Sequence, residues 1–154
     1  MGLDQYLQAK TTVVGGEHIK TSDVYDKVLS AVGSPTVRDT SVPTATVSVQ
    51  VGYWRKENAI HQWFVDNCQG GEDDCREAYV SRDSLTALKT LCEQVLADNS
   101  LAQELLPTTD GFFFGSTDYD EWYFAGLRDT VEIVKDLTDT DEYKNWEFYY
   151  QSSW

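Results

Sequence analysis

Polar and apolar positions alternate most cleanly over residues 44–51, where Ala45, Val47, Val49 and Val51 fall on one face. A period of two predicts a half-buried strand with those four inward. Helical periodicity appears on either side. Ser22 stands where an N-cap belongs, and Val24, Val28, Leu29 and Val32 share one face of a helix ended by Gly33 and Pro35. Residues 34–43 read as a loop. From about residue 55 to 68 the pattern is again helical. Ile60, Trp63, Phe64 and Asn67 share one side, and Trp54, Asn58, His61 and Val65 the adjacent one. Gln69-Gly70-Gly71-Glu72-Asp73-Asp74 ends this helix in an acidic turn.

Ser81 opens the strongest helix, to about residue 98, with a stripe of Leu85, Leu88, Leu91, Cys92, Val95 and Leu96. A further helix runs to about residue 137 on Leu127, Val131, Val134 and Leu137. Its predicted capping box is Thr117 with Asp120, or Asp118 with Glu121. Thr11-Thr12-Val13-Val14 is β-prone and broken by Gly15-Gly16, within a first twenty residues that give no clear pattern. Gly111-Phe112-Phe113-Phe114-Gly115 is predicted as a short central strand covered on both faces. Residues 145–151, rich in aromatics, are predicted as the last strand. The expectation is one α+β domain over residues 1–154. It has three or four strands, mostly antiparallel, with about four helices packed on them.

Charge narrows the function classes. The chain has 154 residues and a formal net charge of -14. Residues 99–154 hold 12 acidic and 3 basic side chains. Such a field repels nucleic acid and anionic membranes, so no direct nucleic-acid or membrane binding is expected. It suits a basic partner surface, or simply solubility. No apolar run is long enough to span a bilayer, and the first residues lack a signal-peptide pattern. Cys68, Cys75 and Cys92 are an odd set without zinc spacing, expected as free thiols. Glu72-Asp73-Asp74 lacks the alternation of a calcium loop. No metal and no cofactor is expected.

Against that acidity, Gly52-Tyr53-Trp54-Arg55-Lys56-Glu57-Asn58-Ala59-Ile60-His61 concentrates aromatic and cationic groups. An indole face stacks on planar groups, Arg55 offers a fork for phosphate, and Lys56 adds a point charge. Asn58 and His61 lie one helical turn apart. Trp54, Arg55, Lys56, Asn58 and His61 are therefore the candidate ligand-binding residues. The competing reading makes Trp54, Trp63 and Phe64 core, with Arg55 and Lys56 extended over it. Tyr119, Trp122, Tyr123, Tyr149, Tyr150 and Trp154 are candidates for an interface or pocket. No Gly-x-Ser-x-Gly elbow or other catalytic constellation is present, so no catalytic residue is assigned.

Several longer motifs occur in order: Gly52-Tyr53-Trp54-Arg55-Lys56, Asn58-Ala59-Ile60-His61, Gly71-Glu72-Asp73-Asp74-Cys75, Glu104-Leu105-Leu106-Pro107, Gly111-Phe112-Phe113-Phe114-Gly115, Tyr119-Asp120-Glu121-Trp122-Tyr123 and Tyr149-Tyr150-Gln151-Ser152-Ser153-Trp154. With them the chain resembles a family of small phage and prophage proteins, some labelled phosphoglycerate kinase. That label is not supported by a chain this short that lacks a Gly-x-x-x-x-Gly-Lys-Ser/Thr loop. The resemblance implies a phage accessory protein acting in the host bacterial cytoplasm.

The resulting expectation is non-catalytic binding that counters host defence. The bound species is a nucleotide-derived signal at the Trp54–His61 cluster, or a basic surface of a host defence protein. One alternative is a small enzyme for a nucleotide or sugar phosphate, with His61 as acid/base. Another is a structural or assembly factor that forms homo-oligomers.

Overall fold

A computed structural model describes residues 2–37 and 42–154. The fold is α+β. The elements are β1 (Asp4–Val14), α1 (Ser22–Ala31), β2 (Thr44–Arg55), α2 (Asn58–Cys68), β3 (Ala78–Val80), α3 (Arg82–Ala97), α4 (Ala102–Leu105), α5 (Glu121–Thr138) and β4 (Glu147–Ser153). The strands form one antiparallel sheet in the order β2-β1-β4-β3. Strand β3 pairs with β4 in the register Ala78 to Tyr150, Tyr79 to Tyr149 and Val80 to Phe148. The chain groups into two compact units, one of Met1–Ala9 with Gln50–Trp154 and one of Lys10–Val49.

The larger unit holds the main core. Leu7 and Ala9 of β1, Phe148 and Tyr150 of β4, and Ile60 and Phe64 of α2 are buried together. Leu85, Leu88, Cys92 and Val95 of α3 meet Leu127, Val134 and Leu137 of α5 in the same cluster. Phe64 stacks on Tyr150 with ring centroids 4.0 Å apart and 10° between planes. Helix α3 starts as its sequence indicates, because the Ser81 hydroxyl accepts from the Ser84 amide at 3.0 Å.

In the smaller unit, α1 begins one residue after its N-cap, Thr21. Ser22 is thus the first helical residue rather than the cap. The Thr21 hydroxyl is engaged by the backbone of Val14, accepting from its amide and donating to its carbonyl. The buried side chain of α1 is Tyr25, while Val24 and Val32 are exposed. The valine face predicted there is rotated because Tyr25 has the larger apolar area to bury. Residues 38–41 of the predicted 34–43 loop lie outside the described residues.

Several boundaries also move. Strand β2 continues four residues past 51, so Tyr53, Trp54 and Arg55 are strand and α2 begins only at Asn58. Its Ala45, Val47 and Val51 are half-buried and Val49 is exposed. Strand β1 starts at Asp4, seven residues before the β-prone run. Its buried face begins with Gln5, a polar residue that breaks the apolar alternation. Strand β4 lies two residues later than expected, and the three-residue β3 left no periodic signal.

Gly111-Phe112-Phe113-Phe114-Gly115 is a turn, not a central strand. The Phe114 amide donates to the Gly111 carbonyl at 3.0 Å, Gly115 takes φ +90°, and Phe112 is 95% exposed. A Cβ on Gly111 would sit 2.6 Å from the Phe114 ring, so any larger residue there would have to displace that ring. Helix α5 is capped by Asp120 alone, which accepts from the amides of Trp122 and Tyr123. No helix among the described residues is long and apolar enough to cross a membrane.

Candidate functional site

The join between β2 and α2 sorts its side chains by alternation. Trp54 points inward at 3% exposure, donates from Nε1 to Thr130 Oγ1 at 2.9 Å and packs against Phe64. It is a core residue, as the competing reading held. Arg55 and Lys56 are exposed. Lys56 has φ +61°, a left-handed conformation that costs a lysine about 1 kcal/mol or more. Two contacts hold it there. The Lys56 amide donates to the Leu3 carbonyl at 2.8 Å. The Gln5 side chain brackets the next residue, donating to the Glu57 carbonyl at 3.1 Å and accepting from its amide at 3.0 Å.

Asn58 and His61, both buried, serve the surrounding structure. Asn58 Nδ2 donates to the carbonyls of Phe114 and Ser116, and its Oδ1 accepts from the Thr109 amide at 2.9 Å. One side chain thus fixes the 109–116 segment against α2. His61 is 0% exposed. Its Nε2 lies 3.0 Å from Asp73 Oδ2 and its Nδ1 2.8 Å from the Tyr150 hydroxyl. A carboxylate only accepts, so Nε2 donates to Asp73, while Nδ1 is paired with the Tyr150 hydroxyl. Both nitrogens are occupied within the protein, and Asp73 also accepts from Trp154 Nε1 at 3.1 Å. His61 is therefore a structural hub and does not share a surface with Trp54.

Arg55, Lys56 and Asn58 instead line one cleft of about 270 Å³ with Glu57, Thr108, Gly115, Ser116, Asp118, Asp120, Trp122 and Tyr123. A Cβ placed on Gly2 would lie 3.2 Å from Lys56 Cε and 3.9 Å from Arg55 Nη2, so both cationic side chains run toward Gly2. Glu57 reaches α5. A Cβ on Gly126 of α5 would sit 2.1 Å from its Oε2, so the carboxylate rests on bare helix backbone. It receives no hydrogen bond from the described residues. Burial, then the negative charges of Asp129 and Asp120, push its pKa up to about 7. The cleft is thus lined both by two cations and by a carboxyl whose pKa is raised to about 7.

Among the six aromatic candidates, Trp122 is the free one, 82% exposed on the cleft. Tyr123 is buried and donates to the Leu106 carbonyl at 2.8 Å. Tyr119 packs edge-on against Tyr123 and accepts from the Thr108 amide. Tyr150 is core. Tyr149 donates to Glu147 and meets Tyr79 across the β3–β4 pair. Trp154 is half-exposed and tied to Asp73.

Sequence reasoning passed over Glu57, which lies inside the singled-out stretch. Its only signal was a carboxylate between two charged or polar neighbours, the commonest pattern of a solvated helix start. Its burial depends on Gly126, 69 residues away. The remaining chemistry is structural. Cys68, Cys75 and Cys92 are free thiols, and burial raises Cys68 to about 11 and Cys92 to about 12. Glu72 and Asp74 pair with Arg76. Among the described residues no group of three His, Cys, Asp or Glu side chains converges as metal ligands. No family model, no curated protein and no solved structure matches the chain.

Proposed function

We propose that the protein acts by binding, without catalysis, a nucleotide-derived ligand in the cleft between Arg55, Lys56 and Trp122. The observation that carries this reading is the meeting of two exposed cations and an exposed indole on one concave surface. Arg55 and Lys56 supply the charge for a phosphate, and Trp122 supplies the stacking face that Trp54 does not. Asn58 positions the 109–116 wall and is a positioning residue. His61 has no free nitrogen to move a proton, which favours binding over the acid/base reading. The resemblance to small phage proteins supports a setting in which sequestering such a signal counters host defence.

The test is calorimetric titration of wild type and Arg55→Ala with nucleoside monophosphates. Binding lost in the variant, with an unchanged unfolding curve, supports the reading. Full affinity in Arg55→Ala contradicts it.

A second reading rests on a separate observation. Phe112 and Trp122 project from the acidic 99–154 half, a pattern suited to a basic protein surface. That association weakens steeply with added salt. A partner complex indifferent to ionic strength contradicts it.

A further inference from the structure

We propose that Glu57 is the specificity-determining residue of this cleft and that the ligand class it selects is a guanine nucleotide. The inference rests on the nucleotide reading and extends it from the phosphate to the base. The half-buried Glu57 carboxylate lines a cleft, faces no protein donor and lies against a helix backbone, so a ligand that brings a pair of N–H groups would supply the donors the protein does not. Guanine presents two adjacent donors, N1–H and the 2-amino group, on one edge, and a carboxylate accepts both in a fork. Adenine offers an acceptor at N1 and gives an ionised carboxylate only one donor. Hypoxanthine keeps N1–H and lacks the amino group.

The same cleft also carries the cations that a nucleotide phosphate needs. The Arg55 and Lys56 side chains run toward Gly2 and the Glu57 carboxylate rests on Gly126, so a phosphate and a base edge would meet different residues. Trp122 lines the same cleft and is open for stacking. The volume of about 270 Å³ suits one mononucleotide rather than a polymer. The charged and titratable groups around Glu57 are Tyr123 and Asp129 on α5, Asp120 at its N-cap, Asp118 in the preceding loop, Arg55 at the end of β2 and Lys56 next to Glu57 in the chain. The two nearest aspartates oppose ionisation of Glu57. A ligand donating two hydrogen bonds favours the ionised form, so binding draws off a proton near neutral pH. Affinity for guanine nucleotides therefore rises as pH increases through about 7.

The experiment titrates wild type and Glu57→Gln with GMP, IMP, AMP and inorganic phosphate at pH 6 and pH 8. Wild type is expected to prefer GMP over IMP and AMP by about tenfold or more, the worth of a charge-assisted hydrogen bond. Glu57→Gln is expected to lose that preference while keeping its affinity for phosphate. The phosphate also gains charge over this range, so the pH effect is read as the difference between wild type and Glu57→Gln. Equal binding of GMP and AMP overturns the inference and leaves the nucleotide reading standing. A preference that survives in Glu57→Gln does the same. No binding of any nucleotide to wild type overturns both.

Discussion

His61 and Tyr150 share a buried hydrogen bond, 2.8 Å from Nδ1 to the phenol oxygen, that ties α2 to the last strand. With Asp73 on the other ring nitrogen, the imidazole links three segments of the chain. Tyr150→Phe leaves Nδ1 buried without its partner and is expected to cost about 1–3 kcal/mol. His61→Ala, which also leaves a cavity, is expected to cost more. Urea unfolding measures both. Nucleotide affinity in the folded Tyr150→Phe variant stays at the wild-type value, which separates this hub from the cleft.

Asn58 bonds two carbonyls and an amide of the 109–116 segment. Asn58→Ala leaves those groups without their partner, at an expected cost of about 2–3 kcal/mol. Amide hydrogen exchange should accelerate at Thr109, whose amide loses its acceptor. Unchanged protection there would show that the clamp is not what orders the cleft wall.

Gly126 matters for what it lacks. In Gly126→Ala the new methyl displaces the flexible Glu57 carboxylate rather than the helix. Helix propensity favours alanine by about 1 kcal/mol, so the fold is expected to hold or gain stability. Glu57 moves into solvent, and its pKa should fall from about 7 toward its ordinary 4.5. Carbon-detected NMR titration of the glutamate carboxyl reads the shift directly.

The raised pKa of Glu57 also sets a pH dependence of stability. In the folded state this acid holds its proton up to about pH 7, whereas the unfolded chain releases it near 4.5. Between those values the folded state binds the extra proton, so this group's contribution falls as pH rises, and the cost is complete above 7. Glu57→Gln removes the cost. It is expected to be more stable than wild type at pH 8 by about 1–3 kcal/mol, and to differ little near pH 4.5. Equal stability of the two at pH 8 in urea melts would contradict the partial burial of the carboxylate.

The sequence carried the long helices well, because Ser81, Leu85, Leu88, Cys92 and Val95 repeat with a helical period that packing preserves. It carried the α+β class and the final strand for similar reasons. It misplaced the Gly111–Gly115 run, because three phenylalanines read as buried strand while the backbone makes a tight turn that exposes Phe112. It could not separate Trp54 from Trp122 as the open indole. That distinction depends on Thr130, which takes the Trp54 N–H from 76 residues away. The cleft joins Arg55 and Lys56 to Asp118 and Trp122, neighbours only after folding, so just its cationic wall was legible in advance.

Native mass spectrometry of wild type, Arg55→Ala and Trp122→Ala with an equimolar mixture of nucleoside monophosphates tests the central claim most directly. The account expects a 1:1 adduct on wild type, with the mass of the guanine nucleotide dominant, and its loss in both folded variants. An unliganded wild type, or the same adduct on all three proteins, would contradict it.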